Sequence, residues 1–441
     1  VTPFDPGKLS KGRCPAVDRL RRFQYDIWKM TRAILISALA LLAAAAGSPV
    51  YGQAQPEDPG QSQSQSQAES AKPSESAKPA DQMQPPAKKK LTFFDPEDGK
   101  LDMSDFLLNH KGALPVPTII TEPAVGYGFG LGLLFFSESM ADAAAEARAS
   151  GKGPAPPNIT VLGGAYTDNG TWAAGFGHFH TWDGDRIRYL GGIGKVDANL
   201  EYFGVSNQPR SYELSGFALV QQVLIRVGDT HWFIGPRYVF ADTSATFKFG
   251  NSAQELGSFE RDQRIGKGGI VIDYDSRDNI FYPNKGSYAE LEAQFARAGF
   301  GSTQTFDMYN ARGFTWIPVA RTLILGLRGD TRFSSGDVPF YAQPYVDLRG
   351  VQKGRYQDRN AVMTEVELRW DVTPRWSLLA FSGAGKAYGR WNDFSDASTV
   401  VSVGGGFRYM IARKLGLSMG IDVAHSRDQN AFYIQVGSAW H

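Results

Sequence analysis

Cysteine is nearly missing from this chain of 441 residues; Cys14 is the only one. That excludes a disulfide framework, a cysteine-based zinc site and an iron–sulfur cluster. An excess of either charge is missing too. The 46 Lys and Arg against 45 Asp and Glu give a formal net charge of +1, which leaves no basic footprint for nucleic acid. Long apolar runs are lacking: the longest, at 38–47, falls short of the ~20 residues a spanning helix needs, so a bundle of membrane helices is excluded. What the chain does have is 49 Gly and 12% aromatic residues. This suits a β-rich protein with close backbone contacts, although a globular domain can share that composition.

The front end reads as an address. Met30-Thr31-Arg32 precedes an apolar stretch over 33–46 and then Gly47-Ser48-Pro49-Val50-Tyr51-Gly52-Gln53-Ala54. A basic start, a short apolar core and small residues after it make a secretory signal peptide, cleaved after Gly52 or Ala54; a retained anchor is the alternative. Residues 1–52 are thus expected to be an upstream extension plus signal. Without them 38 basic and 42 acidic residues remain, a formal charge of −4, and no Cys. Residues 53–110 are expected to form a periplasmic linker. Gln and Ser alternate over 61–67, and Glu-Ser-Ala-Lys-Pro occurs twice, at 69–73 and 75–79. Such a segment buries too little apolar surface to offset its ordering entropy.

From 111 to 441 the dominant pattern has period two; the Ala-rich stretch 137–149 is the one helical pattern. Val362, Thr364, Val366, Leu368 and Trp370 alternate with Glu365, Glu367, Arg369 and Asp371. Leu417, Met419, Ile421 and Val423 alternate with Ser418, Gly420 and Asp422, and Leu323, Leu325 and Leu327 oppose Arg328, Asp330 and Arg332. A soluble sandwich would turn the apolar face inward; a transmembrane barrel would turn it to lipid. Segment length favours the barrel, because most of fifteen candidate strands reach the ~10 residues a tilted strand needs to cross hydrocarbon. Residues 116–122 would make a sixteenth. Short links at 317–320, 372–375 and 411–414 alternate with long ones at 248–263, 334–360, 387–399 and 425–430, as in such barrels. Trp172, Trp182, Trp232, Trp316, Trp370, Trp376 and Trp440 lie near segment ends and are candidates for interfacial girdles.

Three segments carry a family likeness. Ile272-Asp273-Tyr274-Asp275-Ser276-Arg277-Asp278-Asn279 with Pro283 and Gly286 resembles a turn of the bacterial surface-antigen superfamily, the BamA/TamA-like outer-membrane barrels. Leu348-Arg349-Gly350 with Arg355 and Tyr356 resembles that superfamily's Arg-Gly loop motif. Residues 432–440, with Phe432, Ile434 and Trp440, are similar to a C-terminal outer-membrane recognition signal. The resemblance implies an all-β transmembrane antiparallel barrel of about 16 strands, with a long loop folded inward and its Arg349 paired to lumen acids. The superfamily's Phe-x-Asp-x-Gly wall motif reads here Phe381-Ser382-Gly383-Ala384-Gly385, so the usual acid is absent. Glu365, Glu367 and Asp422 are the candidate partners, with Asp422 or Glu367 as substitute. In the turn motif Asp275 and Asp278 are expected to accept backbone N–H bonds with Arg277 bridging them.

The segment before the barrel fits no POTRA repeat, so the resemblance points to a branch without them. It implies outer-membrane location, contact with lipid and lipopolysaccharide, use of the assembly machinery for its own insertion, and protein clients. Fold likeness alone does not assign activity, and three readings stay open: an assembly or translocation barrel, a loop-plugged passive pore, and a structural surface barrel. An assembly role would use the seam between first and last strands, which Gly126, Gly128, Gly130, Gly132 and Gly437 are expected to weaken. No enzyme, cofactor or metal site is expected. His178 and His180 share a strand face without a third ligand, and Arg328-Gly329-Asp330 puts both its charges on the lumen face of a strand.

Overall fold

A computed structural model describes residues 93–149, 156–203, 209–247 and 259–440. The expected signal peptide and most of the low-complexity segment lie outside the described residues. The strands are β1 Gly112–Ile120, β2 Gly128–Phe136, β3 Ile159–Thr167, β4 Trp172–Trp182, β5 Ile187–Phe203, β6 Pro209–Arg226, β7 Trp232–Phe247 and β8 Phe259–Asp275. There follow β9 Gly286–Ala296, β10 Phe306–Ala320, β11 Leu323–Gly336, β12 Asn360–Asp371, β13 Trp376–Tyr388, β14 Val400–Ala412, β15 Leu417–Ser426 and β16 Asn430–Val436. Each pairs antiparallel with the next in one sixteen-stranded sheet. Two helices lie at its short-turn end: α1 Ser104–Asn109 and α2 Met140–Ala149. The second falls in the Ala-rich stretch where the sequence predicts one.

Period-two alternation builds the wall as expected. Leu291, Leu327, Val366, Leu368, Ile421 and Val423 are exposed on the outside, while Glu290, Glu292, Asp330, Glu365, Glu367 and Asp422 are buried inside. An outer surface this apolar needs lipid around it. Trp182, Trp232, Trp370 and Trp376 are exposed on that surface. Trp316 and Trp440 are not girdle residues: both are buried with Phe314 and Ile324. The wall varies in height. Strands β5 to β8 have 16 to 18 residues, whereas β1, β2 and β3 have 9 and β16 has 7.

The lumen is filled in two tiers. Toward the long-loop end, Ala124 and Val125 of the β1–β2 loop and Tyr341 of the β11–β12 loop pack on Leu200, Tyr212, Leu214 and Phe306 of the wall. Below it, from mid-wall down to the turn end, runs a belt of ion pairs: Arg188 and Arg226 on Asp185, Arg237 on Glu290 and Glu292, Arg312 on Glu290, Arg332 on Asp330. Buried charges persist only when paired in this way.

Four expectations change. The first strand starts at Gly112, not at 116. Hence Gly128, Gly130 and Gly132 sit in β2, one strand in from the seam. The last strand stops at Val436 rather than running to 440, because Gly437 adopts φ +77° and turns the chain inward. The link expected at 317–320 belongs to β10, and the one expected at 248–263 gives up its last residues to β8.

Candidate functional site

The loop 337–359 brings Arg349 to the inner wall, where strand alternation has placed its partners. Its Nε lies 2.7 Å from Glu365 Oε1, and Nη2 contacts the same oxygen. Nη2 is 2.8 Å from Glu367 Oε2, and Nη1 donates to Asp422 Oδ2 at 2.9 Å. The guanidinium also lies over the Phe381 ring, 3.5 Å from its centroid. All three acids named from the sequence therefore meet Arg349, and Glu365 joins the two expected substitutes. Gly383 explains why an acid is absent there. A Cβ at that position would come within 2.7 Å of Leu348 Cδ2 and 3.1 Å of Thr364 O. Leu348, packed with Val346, Val351 and Met363, occupies the space an Asp would need.

Two arginines complete the cluster. Arg408 grips Asp422 with Nη1 on Oδ1 at 2.6 Å and Nη2 on Oδ2 at 2.9 Å, and Arg328 Nη1 stands 3.6 Å from Glu365. Three guanidinium groups thus face three carboxylates, and Arg328 links them to Asp330 and Asp347, which Arg332 also holds. Arg408 was legible in principle, since it shares the inward parity of Ser402 on β14. Gly350 lets the loop reach the wall. It has φ +83°, and a Cβ there would come within 2.9 Å of Ala424 Cβ.

The same loop touches both sides of the barrel's seam. Lys353 pairs with Glu122 after β1 at 3.1 Å. On the other side Arg355 pairs with Asp428 at 2.9 Å, Tyr356 donates to Asp428, and the Tyr433 hydroxyl of β16 accepts the Gly350 N–H at 3.0 Å. No ladder joins β1 to β16 among the described residues; these strands are the two ends of the sheet. Tyr127 stacks on Phe432 across the gap, with centroids 5.8 Å apart.

A second tie crosses the turn end. Residues 93–109, grouped with the linker on composition, run beneath the β12–β13 and β14–β15 turns before entering β1. Arg375 of the first turn is 1% exposed and reaches Asp95 at 2.8 Å, Asp102 at 3.0 Å and Asp98 at 2.5 Å. Met103 N–H donates to Ile411 O at 2.7 Å, and Lys414 pairs with Asp105 at 2.6 Å. The hydrogen bond to Arg375 holds the Asp98 carboxyl down to about 2. Burial alone would raise Asp102, but hydrogen bonds from Ser104 and Arg375 outweigh it and lower it.

In the turn motif Arg277 clamps Asp275 through Nε at 2.9 Å and Nη2 at 2.7 Å. It does not bridge to Asp278 as expected; Asp278 Oδ1 accepts the N–H groups of Asn284 and Lys285. Pro283 O accepts from Arg369 Nη1 at 2.9 Å, and Gly286 takes φ +100° to start β9. The motif is therefore a folded underside for the lumen. Of the C-terminal residues, Phe432 is exposed outward, Ile434 shares its parity, and Trp440 lies inside with Nε1 3.3 Å from Glu365. His178 and His180 stand in an aromatic row with Trp182 and Tyr189, which is girdle packing.

The family model of the Omp85 superfamily domain matches residues 238–440. No curated protein matches the chain. Among solved structures, BamA from Haemophilus ducreyi lacking POTRA domains 1–3 aligns at 11% identity and TM-score 0.51, over 74% of this chain and 70% of that one. CdiB from Acinetobacter baumannii aligns at 9% identity and TM-score 0.48, over 73% and 59%. CdiB from Escherichia coli gives 9% and 0.46, over 73% and 61%; the chain thus spans about three fifths of either CdiB. Residues 238–440 match the Omp85 superfamily domain, and the chain as a whole is a sixteen-stranded transmembrane barrel with a fold like that of BamA.

Proposed function

We propose that this chain serves in the bacterial outer membrane as an assembly or translocation barrel whose working part is the seam between β1 and β16. The single observation that carries this reading is that, among the described residues, no β-ladder closes that seam, while all fifteen other junctions are laddered. Lipid cannot satisfy free backbone N–H and C=O groups, so an unzipped junction in a membrane barrel has a use or a cover. The loop 337–359 and the strap 93–109 act as ties across it, and both are ionic rather than laddered. Export by a cleaved signal, insertion by the cell's assembly machinery through the C-terminal aromatic signal, and contact with lipopolysaccharide belong to the same proposal. So does the role of protein clients.

The plugged passive pore is the alternative reading, favoured by the way residues 337–359 fill the lumen. Against it stands the apolar tier around Tyr212 and Tyr341, which offers ions no hydration in place of water. The test is kinetic. A urea-unfolded eight-stranded outer-membrane barrel is diluted into vesicles with or without this chain. Faster insertion supports the assembly reading. Unchanged insertion together with steady ion conductance overturns it in favour of the pore.

A further inference from the structure

The two edges that meet at the seam are chemically unequal. In an antiparallel sheet, the amides of alternate residues point to opposite neighbours. Asp168 N–H donates to Tyr127 O, so odd-numbered residues of β2 face β3 and even-numbered ones face β1. Gly128, Gly130, Gly132, Leu134 and Phe136 pair with Ile120, Thr118, Val116, Leu114 and Gly112. The odd-numbered residues of β1 therefore face the seam: Ala113, Pro115, Pro117 and Ile119. Proline has no N–H. The two central donors of that edge are missing, and between Ala113 and Ile119 no donor faces the seam for about 20 Å.

On the other side, Gly437 N–H donates to Ser418 O. Odd-numbered amides of this region thus face β15, and the seam receives those of Asn430, Phe432, Ile434 and Val436. All four carry an N–H. One edge is blocked as proteins block edges against unwanted pairing; the other keeps every donor.

We propose that β16 is the strand-accepting edge of this barrel and that β1 cannot accept a strand. The assignment rests on the seam reading above and names its partner. β16 descends toward the turn end, so an antiparallel partner ascends. Residues opposite Phe432 and Ile434 face lipid, and those opposite Tyr433 and Gln435 face the lumen. The occupant is a proline-free, ascending amphipathic strand of about seven residues from another outer-membrane chain. A second copy of this chain does not meet that description, since its own ascending edge strand is β1 with the same two prolines.

The test uses the full chain in phosphatidylcholine vesicles, with C14S as background and I434C or I119C added singly. The probe is the urea-unfolded eight-stranded barrel carrying one cysteine in its first strand. Disulfide formation with I434C is expected to exceed that with I119C at least about tenfold, roughly what two ladder hydrogen bonds are worth. Accessibility alone predicts the reverse, because Ile119 is among the exposed apolar residues and Ile434 is half-buried. Restoring the donors with P115V and P117V lets β1 zip onto β16. The I434C yield is then expected to fall about tenfold, in chains whose gel mobility still shows a folded barrel. Equal or greater yield at I119C overturns the assignment, as does a yield at I434C that ignores P115V and P117V. The two readings fail separately. Selective I434C disulfides without faster insertion of the probe sink the assembly role and keep the edge; faster insertion with I119C preferred sinks the edge and keeps the role.

Discussion

Replacing Arg349 with Ala removes the one side chain that contacts Glu365, Glu367 and Asp422 together. Asp422 keeps Arg408, and Glu365 keeps only Arg328 at 3.6 Å and the Trp440 indole. At an effective dielectric near 20, each close pair is worth about 4 kcal/mol before desolvation. Removing one partner from a buried ionic cluster costs about 3–5 kcal/mol, because the stranded carboxylates stay buried. R349A is therefore expected to lower unfolding free energy in urea by about that amount. R349K recovers little, since one ammonium cannot replace a planar fork stacked on Phe381. The decisive measurement is the cycle with E365A. If the acid and the base act as a pair, R349A/E365A is less destabilised than the two single changes summed. Additive effects, or an R349A cost below about 0.5 kcal/mol, would refute the lock.

The tie at the turn end answers to pH. Asp98, near 2, and the lowered Asp102 have folded values below the unfolded one of about 3.9. Their contribution is complete above that value and is lost as pH falls toward 2. Arg375, Arg413, Lys414 and Lys100 are the cations around them, and Asp95, Glu97 and Asp105 the other acids. Exchange of the Met103 amide, corrected for its intrinsic rate, should stay slow at pH 5 and speed up between pH 4 and 2. Speeding already at pH 6 would contradict this. Lys100 is already exposed, but R375A should loosen the strap backbone around it, raising trypsin cleavage after it about tenfold at neutral pH; unchanged cleavage would mean the strap is held otherwise. G350A should cost about 1–3 kcal/mol in the same urea assay, because its φ is positive and its Cβ strikes Ala424. Deleting 338–358 should convert a silent barrel into a conducting one in planar bilayers, whereas conduction by the intact chain would mean that the apolar tier does not seal.

Much of the fold is legible in the sequence because lipid and lumen impose opposite demands on alternate residues. Glu365, Glu367 and Asp422 announce the inner face, and Leu368 and Ile421 the outer. The lock was readable in part for the same reason, once Arg349 was placed on a loop by its Arg-Gly pair. Arg328 and Arg408 are not legible as partners, since parity puts a side chain in the lumen but not against a given neighbour. Trp440 shows the limit more sharply. A positive φ at Gly437 redirects four residues, and no periodic pattern encodes that turn. Asp95, Asp98 and Asp102 sit beside a low-complexity run, and their meaning depends on an arginine more than 270 positions away. Pro115 and Pro117 were visible, but their effect is set by which way each amide points.

The uneven wall has a consequence for the surrounding bilayer. With a rise of about 3.3 Å per residue and a tilt near 40°, the seven residues of β16 span about 18 Å and the nine of β1 about 23 Å, whereas β5 to β8 span more than about 40 Å. Hydrocarbon about 25–30 Å thick meets a matching surface on the tall side and falls short of one on the other. Acyl chains next to Phe432 and Ile119 must compress or disorder. The barrel thus carries its own patch of thinned membrane, fixed beside the one junction where its wall is not knitted.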